Sequence, residues 1–471
     1  MELLCKHERR EEVDFLPRLH PVLSPSPSDT THVSDLDEPG WDSIITPSLD
    51  YVLRSECGYS EDQTRRHVLF FRENLMPWLG LPPRATITAD GALTFSPRYA
   101  SAMTNDFTPL EYSYSWKTAD KAGVPVFRYI FDVAPPAGTG TRTDTLRAAL
   151  AAIEHLANRP ATGGDQLEVH IFPVLWKYVT QWFLDREPLI HPSEQDGGRC
   201  ARCGISSTFV GCELASEGAS LKLYWLLPSC QAPETTLGEL DGLFDGAKSH
   251  SSLFADAGFW HLWSTLRDYV SSHSDILRIR MLSMDATQFP SSRVKVYTRC
   301  MFGDSVRFAD AILPHLSLGG QVDIPSHFVD TAARVWDSVV GLATDGRRSR
   351  RRPRYCLLLH EVGISKSSGQ VVIGAKLYIM CGEVADADSV LVEKLMRNCP
   401  RLKDSNLRSQ FPSDGKPTGQ IAEIGLVPRK DETEIGLYLN PCLFSDPTCT
   451  GGDDGSGGEV TVDRRRCDIN A

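Results

Sequence analysis

The sequence predicts an α+β fold in which ten antiparallel strands close into a barrel and helices pack around it, built from repeated α-β-β-α units. Three observations predict it. Five pairs of short segments alternate apolar and polar residues, each pair divided by turn residues. Stretches of helical period stand between the pairs. In the later pairs, a basic residue two positions before a tyrosine recurs in the second segment, roughly every 60 to 80 residues.

Taken in order, residues 1–40 read as a flexible lead-in, because 21–40 are rich in Pro, Ser and Asp and lack periodicity. Folding is expected from Trp41, with one barrel domain over 41–445. Residues 61–78 form a helix capped by Ser60, with Val68, Phe71, Leu75 and Trp78 on one face. The first strand pair is 109–117 with 124–133. Helices over 144–158 and 174–185 lead to the second pair, 207–214 with 220–228, divided by Glu217-Gly218. A long helical region over 240–271, expected to break, precedes the third pair, 276–285 with 293–300. Helices over 308–316 and 327–342 precede the fourth, 355–363 with 371–381, and a helix over 387–398 precedes the fifth, 421–427 with 434–440. Ten strands in one sheet avoid exposed edges most simply by closing. Residues 446–471, with a Gly/Asp/Ser tract at 451–458, read as a disordered tail.

Composition narrows the function. A net charge of −12 argues against nucleic-acid binding, which needs a surplus of Lys and Arg on at least one large face. The basic run 347–352 reads as an exposed loop between helix and strand. The charged N-terminus is followed by no signal-length apolar stretch, and no run approaches the roughly 18 apolar residues of a membrane span, so a cytoplasmic, membrane-free protein is expected. Thirteen cysteines, an odd number, suit reduced thiols. Cys200 and Cys203 form a close pair, but Cys212 and Cys230 supply no second pair at recognisable spacing, so a loop with free thiols and no metal is expected.

The chemistry lies on the strand faces, where residues i and i+2 share a side. Lys222 and Tyr224 share one face, as do Arg293, Lys295, Tyr297 and Arg299; Lys376 pairs with Tyr378, and Tyr438 stands alone. In the first pair the polar face carries Glu111, Ser113, Ser115 and Lys117, opposite Arg128 and Asp132. A polar face turned to solvent is ordinary for one strand. Repetition favours the other arrangement, with helices over the apolar outer faces and the cations in the lumen, where Lys and Arg are rarely buried without a partner. Converging cations suit a multivalent anion such as diphosphate, bound by charge-assisted hydrogen bonds with no metal. Tyrosines on the same wall can stabilise an allylic cation through their π faces and shelter it from water. Glu111, a lone acid among apolar neighbours, can accept a hydrogen bond from an indole N–H.

These segments resemble the fungal dimethylallyltryptophan synthase family, the ABBA or PT-barrel aromatic prenyltransferases. The matching stretches are Thr108-Pro109-Leu110-Glu111-Tyr112-Ser113, Val126-Phe127-Arg128-Tyr129, Lys222-Leu223-Tyr224, Ser292-Arg293-Val294-Lys295-Val296-Tyr297, Lys376-Leu377-Tyr378 and Leu437-Tyr438-Leu439. The resemblance implies transfer of a dimethylallyl group from dimethylallyl diphosphate, a substrate, to an indole-bearing acceptor, without metal or other cofactor. It also implies that Glu111 binds the acceptor, that Arg128, Lys222, Arg293, Lys295, Lys376 and Arg429 hold the diphosphate, and that Tyr224, Tyr297, Tyr378 and Tyr438 shield the cation. Arg280 falls where amino-acid-using relatives place a carboxylate-binding arginine. Relatives that use tryptophan carry a lysine shortly before the Lys-x-Tyr strand, where this chain reads Ser206-Ser207-Thr208-Phe209-Val210. That departure leaves the proton acceptor unassigned and keeps a phenolic acceptor, such as tyrosine or a xanthone, as the alternative. A silent ligand-binding barrel is disfavoured, because unused buried charge is costly. A monomer or homodimer is expected.

Overall fold

The computed structural model describes residues 39–444 except 88–92, 117–124, 137–139, 160–166, 193–199, 201, 288–291, 303–306, 341–352, 354, 366, 382–386, 400–401, 403–404, 406 and 412–418. Nearly all of the expected lead-in, the tail after 445, the basic run at 347–352 and Lys117 therefore lie outside the described residues.

Helix α1 (Trp41–Tyr51) opens the fold and buries Trp41, Ile44, Ile45, Ser48 and Leu49, an apolar stripe at helical spacing. Folding was expected from Trp41, but with no helix before Ser60. Helix α2 (Glu61–Phe70) begins at the Ser60–Gln63 capping box and loosens into a π-turn at Phe71–Leu75, then a 3-10 turn at Met76–Trp78. Pro77, which cannot donate to the helical ladder, ends the regular winding. Strands β1 (Leu110–Trp116) and β2 (Val126–Asp132) lead to α3 (Arg142–Ala157) and α4 (Pro173–Ile190), then β3 (Thr208–Leu214) and β4 (Gly218–Leu226). The expected helix over 240–271 is interrupted: α5 (Pro233–Gly246), a short turn at Ser252–Ala255, and α6 (Ala257–Ser272), which restarts where Asp256 accepts from the Gly258 amide at 2.7 Å. Strands β5 (Leu277–Asp285) and β6 (Val294–Met301) follow, then α7 (Ser326–Val339), β7 (Tyr355–Ile364), β8 (Val371–Met380), α8 (Asp388–Asn398), β9 (Ile421–Pro428) and β10 (Thr433–Leu439).

Each hairpin pairs antiparallel, and the hairpins pair with their neighbours in chain order. Pairing of β4 with β5 and of β10 with β1 closes the ring of ten. Small additions stand outside it, namely a two-residue strand, Glu168–Val169, on β4 and a ribbon of Arg84–Ile87 with Leu93–Ser96. The alternation of each strand sends one set of side chains outward under the helices. Tyr112, Phe127, Tyr129, Leu223, Trp225, Val296 and Leu377 are all buried there. Two of them reach polar partners on the helices: the Tyr112 hydroxyl lies 2.9 Å from Ser48 of α1, and the Trp225 indole donates to Thr180 of α4 at 2.9 Å. The other set faces the lumen.

Candidate active site

Registers between strands place the lumenal residues in tiers. At one end stand all six expected cations, lining a cavity of about 170 Å³ that also reaches Ser113, Ser115 and the four tyrosines. Contrary to expectation, these cations already have protein partners. Four carboxylates stand among them. Arg128 Nε and Lys222 Nζ share Glu213, at 2.7 and 2.9 Å. Arg293 bridges Asp285 and Glu361, each at 2.8 Å, while Lys295 also pairs with Asp285 and Lys376 meets Glu361 at 3.1 Å. Arg429 Nε meets Glu434 at 2.7 Å, and the Ser115 hydroxyl donates to the same carboxylate at 2.6 Å. The carboxylates lie on first strands of hairpins or beside turns. Register sets Glu213 opposite Arg128 and Glu361 opposite Lys295, pairings that the two-residue step within one strand does not disclose.

Six cations against four carboxylates leave two formal positive charges on this tier. The electrostatics bear the marks of that surplus. Burial opposes ionisation of Glu213 and Glu361, yet the charges of Lys222 and Arg128 on the first, and of Lys376, Lys295 and Arg293 on the second, hold both carboxyls well below the usual range. Lys295 goes the other way. Its burial outweighs the attraction of Asp285, and with Lys222 and Arg293 nearby the ammonium is brought down to about 7.

Below the cations runs a belt of four tyrosines from alternate strands. Tyr224, Tyr297, Tyr378 and Tyr438 have successive ring centroids 6.1, 5.9 and 5.5 Å apart. Glycines make room for it. A Cβ at Gly211 would lie 3.0 Å from the Tyr224 ring, and one at Gly425 would lie 3.0 Å from Tyr438 and 3.4 Å from Tyr378. Phe209, Leu359, Met103, Ile130 and Leu357 continue the apolar lining. Phe209 is register partner to Tyr224 and sets an apolar ring on the lumenal wall there.

Deeper on the wall lies Glu111, buried on β1, and near it Glu423 on β9, the register partner of Tyr438. Burial first, and the charge of Glu423 second, push the Glu111 carboxyl well above its ordinary value. Burial pushes Glu423 up to about 7. Glu111 was expected alone; Glu423 escaped sequence reading because its strand contributes no Lys-x-Tyr element. Arg280 does not join the six cations. It sits half a strand away on β5, where burial and the charge of Arg299 bring it down to about 10, with Arg278 and Tyr355 also close.

The cysteine reading also changes. Cys200 and Cys203 are joined by Cys230 and His191, which come from positions no local spacing connects.

A family model described as tryptophan dimethylallyltransferase matches residues 37–413. A 4-O-dimethylallyl-L-tyrosine synthase of Claviceps purpurea (strain 20.1) is 25% identical over 301 residues, covering 63% of this chain and 60% of that relative, which is less than two thirds of its length. Among solved structures, AnaPT from Neosartorya fischeri superposes with a TM-score of 0.60 at 16% identity, covering 84% of this chain and 91% of that one. NotF in complex with brevianamide F and DMSPP gives 0.61 at 14% identity, covering 90% and 98%. At these identities the likeness to the solved structures is one of fold.

Proposed function

The chain belongs to the tryptophan dimethylallyltransferase family, and from that premise we propose that it transfers a dimethylallyl group from dimethylallyl diphosphate to an indole-bearing acceptor, with no metal taking part. The observation that carries the reading is the tiered lumen: six cations, then a tyrosine belt, then a carboxyl pair, all on one wall.

The tiers fit the steps of electrophilic aromatic substitution. Arg128, Lys222, Arg293, Lys295, Lys376 and Arg429 bind the diphosphate and stabilise the charge that grows on it as the allylic C–O bond breaks, the electron pair leaving with oxygen. The surplus of positive charge on this tier offsets part of the charge of the diphosphate, which departs with one more negative charge than it carried in the substrate. Tyr224, Tyr297, Tyr378 and Tyr438 hold the allylic cation among π faces and keep water from it. A ring carbon of the acceptor then forms the new C–C bond, and the ring loses a proton. With no lysine on β3, the carboxyl pair of Glu111 and Glu423 is the base within reach of that tier. One member, ionised, orients the acceptor N–H, and the pair takes the proton. Arg280 is assigned to an anionic group on the acceptor.

A second reading has specific support. The Claviceps relative is a 4-O-dimethylallyl-L-tyrosine synthase, and a carboxylate pair that takes the ring proton from an indole can equally take the hydroxyl proton of a phenol. In that case the new bond forms to oxygen and no ring proton is lost.

The test is incubation of the purified chain with dimethylallyl diphosphate in magnesium-free buffer against tryptophan, cyclic dipeptides, indole terpenoids, tyrosine and xanthones, read by mass spectrometry. A gain of one C5H8 unit on an indole supports the first reading, and a gain on a phenol alone supports the second. Absence of both product and diphosphate release across the panel, with or without magnesium, would overturn the proposal.

A further inference from the structure

Well away from the cation tier, the end of α4, the loop before β3 and the segment after β4 meet at four potential ligands. His191, Cys200, Cys203 and Cys230 each bring one ligand atom into a cluster, and all four atoms lie within 4.8 Å of one another. Three sulfurs and one imidazole nitrogen at that spacing match a small tetrahedral site, since zinc bonds of roughly 2.3 Å to sulfur and 2.0–2.1 Å to nitrogen demand ligand separations of that order.

Two independent features argue that the cluster is built rather than accidental. The first is the loop. The amides of Cys203 and Gly204 both donate to the Cys200 carbonyl, at 3.2 and 3.1 Å. Gly204 takes a φ of +65°, the left-handed conformation that glycine enters without strain, and this returns the chain beside its own first cysteine. The second is the histidine. Nε2 faces the sulfurs, 3.0 Å from Cys230, while Nδ1 lies 2.6 Å from Glu187. A carboxylate on the far nitrogen of a ligating histidine fixes its tautomer and raises its basicity. Glu187 is itself held by Arg142 at 2.9 Å, and Arg142 reaches on to the backbone carbonyls of Ser206 and Leu226, the latter at 2.8 Å. The imidazole, its carboxylate and the arginine are all buried. A second layer therefore ties the cluster to the start of β3 and the end of β4. The Ser229 hydroxyl adds a further tie, donating to the Arg202 carbonyl at 2.6 Å.

We propose that His191, Cys200, Cys203 and Cys230 form a structural zinc site that fastens the ends of β3 and β4 to α4. All four positions are filled by protein, so the site offers no open coordination position for substrate or water. It stands apart from the diphosphate chemistry, and a zinc-bearing chain can still transfer its prenyl group without any metal at the cation tier.

The decisive measurements use the full chain as purified under reducing conditions. Inductively coupled plasma mass spectrometry is expected to find about one zinc per chain, as a closed Cys3His site requires. Cobalt exchanged for zinc is expected to give the intense visible bands of a tetrahedral thiolate complex together with sulfur-to-cobalt charge transfer. Cys200→Ser, which removes one sulfur ligand, is expected to bring zinc to background and to lower the melting temperature. Should that variant fail to fold, the wild-type metal content and cobalt spectrum decide the matter alone. Zinc at background in protein made and purified with zinc present, or an octahedral cobalt spectrum, or a disulfide among Cys200, Cys203 and Cys230 in the reduced preparation, would overturn the proposal.

Discussion

Lys295 stands at the point where burial and binding compete. Free of ligand, its ammonium is brought down to about 7, chiefly by burial. A diphosphate beside it restores the preference for charge, so binding near pH 7.5 must draw a proton from solution. Calorimetry with inorganic diphosphate in two buffers of different ionisation enthalpy is expected to show net proton uptake, lost in Lys295→Ala; uptake unchanged in the variant would refute the assignment. The same substitution should lower kcat/KM by about 10²–10³, the scale of one lost stabilising contact to developing charge. The fold should survive, because Arg293 stays on Asp285 at 2.8 Å. The carboxyl pair carries a pH prediction. Both members are raised, Glu423 to about 7, so the ionised base is depleted as pH falls through about 7, and kcat/KM should drop on that limb. Removing the Glu423 charge in Glu423→Gln should move the limb to lower pH, since that charge is the second cause of the Glu111 shift. Glu111→Gln should cost about 10²–10⁴ in rate at every pH. An unmoved limb in Glu423→Gln would separate the two carboxyls. The cations and tyrosines were legible because a fixed two-residue step exposes them. Glu423 and the four counter-carboxylates were not, since their significance depends on which strand lies alongside.

At the level of elements, ten strands followed from alternation and turn residues, and their observed bounds differ from expectation by a few residues at most. What alternation did not disclose was α1, whose five buried residues read clearly only once a barrel wall stands against them, and the position of the expected break between α5 and α6. The tyrosine belt is also a property of elements rather than of single residues. Each ring comes from the second strand of a hairpin, and three of the four lie against a glycine of a neighbouring strand, Tyr224 against Gly211 and both Tyr378 and Tyr438 against Gly425. Gly425→Ala would bring a methyl to 3.0 Å from Tyr438 and 3.4 Å from Tyr378, and both rings would have to shift. A loosened belt admits water to the allylic cation. The ratio of dimethylallyl alcohol to transferred product is therefore expected to rise roughly tenfold, equivalent to about 1.4 kcal/mol of lost discrimination. Equal partitioning in wild type and variant, measured by chromatography of the C5 products, would remove the shielding role from the belt.

The whole molecule depends on a closure made late in the chain. β10 pairs with β1, setting Leu439 opposite Tyr112 and Ile435 opposite Trp116, so the ring stays open until partners more than 300 residues apart meet. Such contacts carry a loop-closure cost that near neighbours do not. A small buried network reinforces the seam. Asp106 accepts from the Thr104 hydroxyl at 2.7 Å and the Thr108 hydroxyl at 2.9 Å on the β1 side, and from the Asn440 amide at 3.0 Å and the Phe444 backbone amide at 3.2 Å on the β10 side. One carboxylate thus stitches the first and last strands of the barrel. Asp106→Ala would leave those donors buried and unpaired, at about 1–3 kcal/mol for each that water cannot reach. The expected outcome is a loss of about 3 kcal/mol or more in denaturant unfolding at the seam, with turnover per folded molecule nearly unchanged, because no group of the cation tier or carboxyl pair touches the network. A variant as stable as the parent would mean that strand pairing alone holds the barrel shut. A variant equally destabilised but inactive while folded would mean that the seam also sets the position of Glu111, five residues further along the same strand lead.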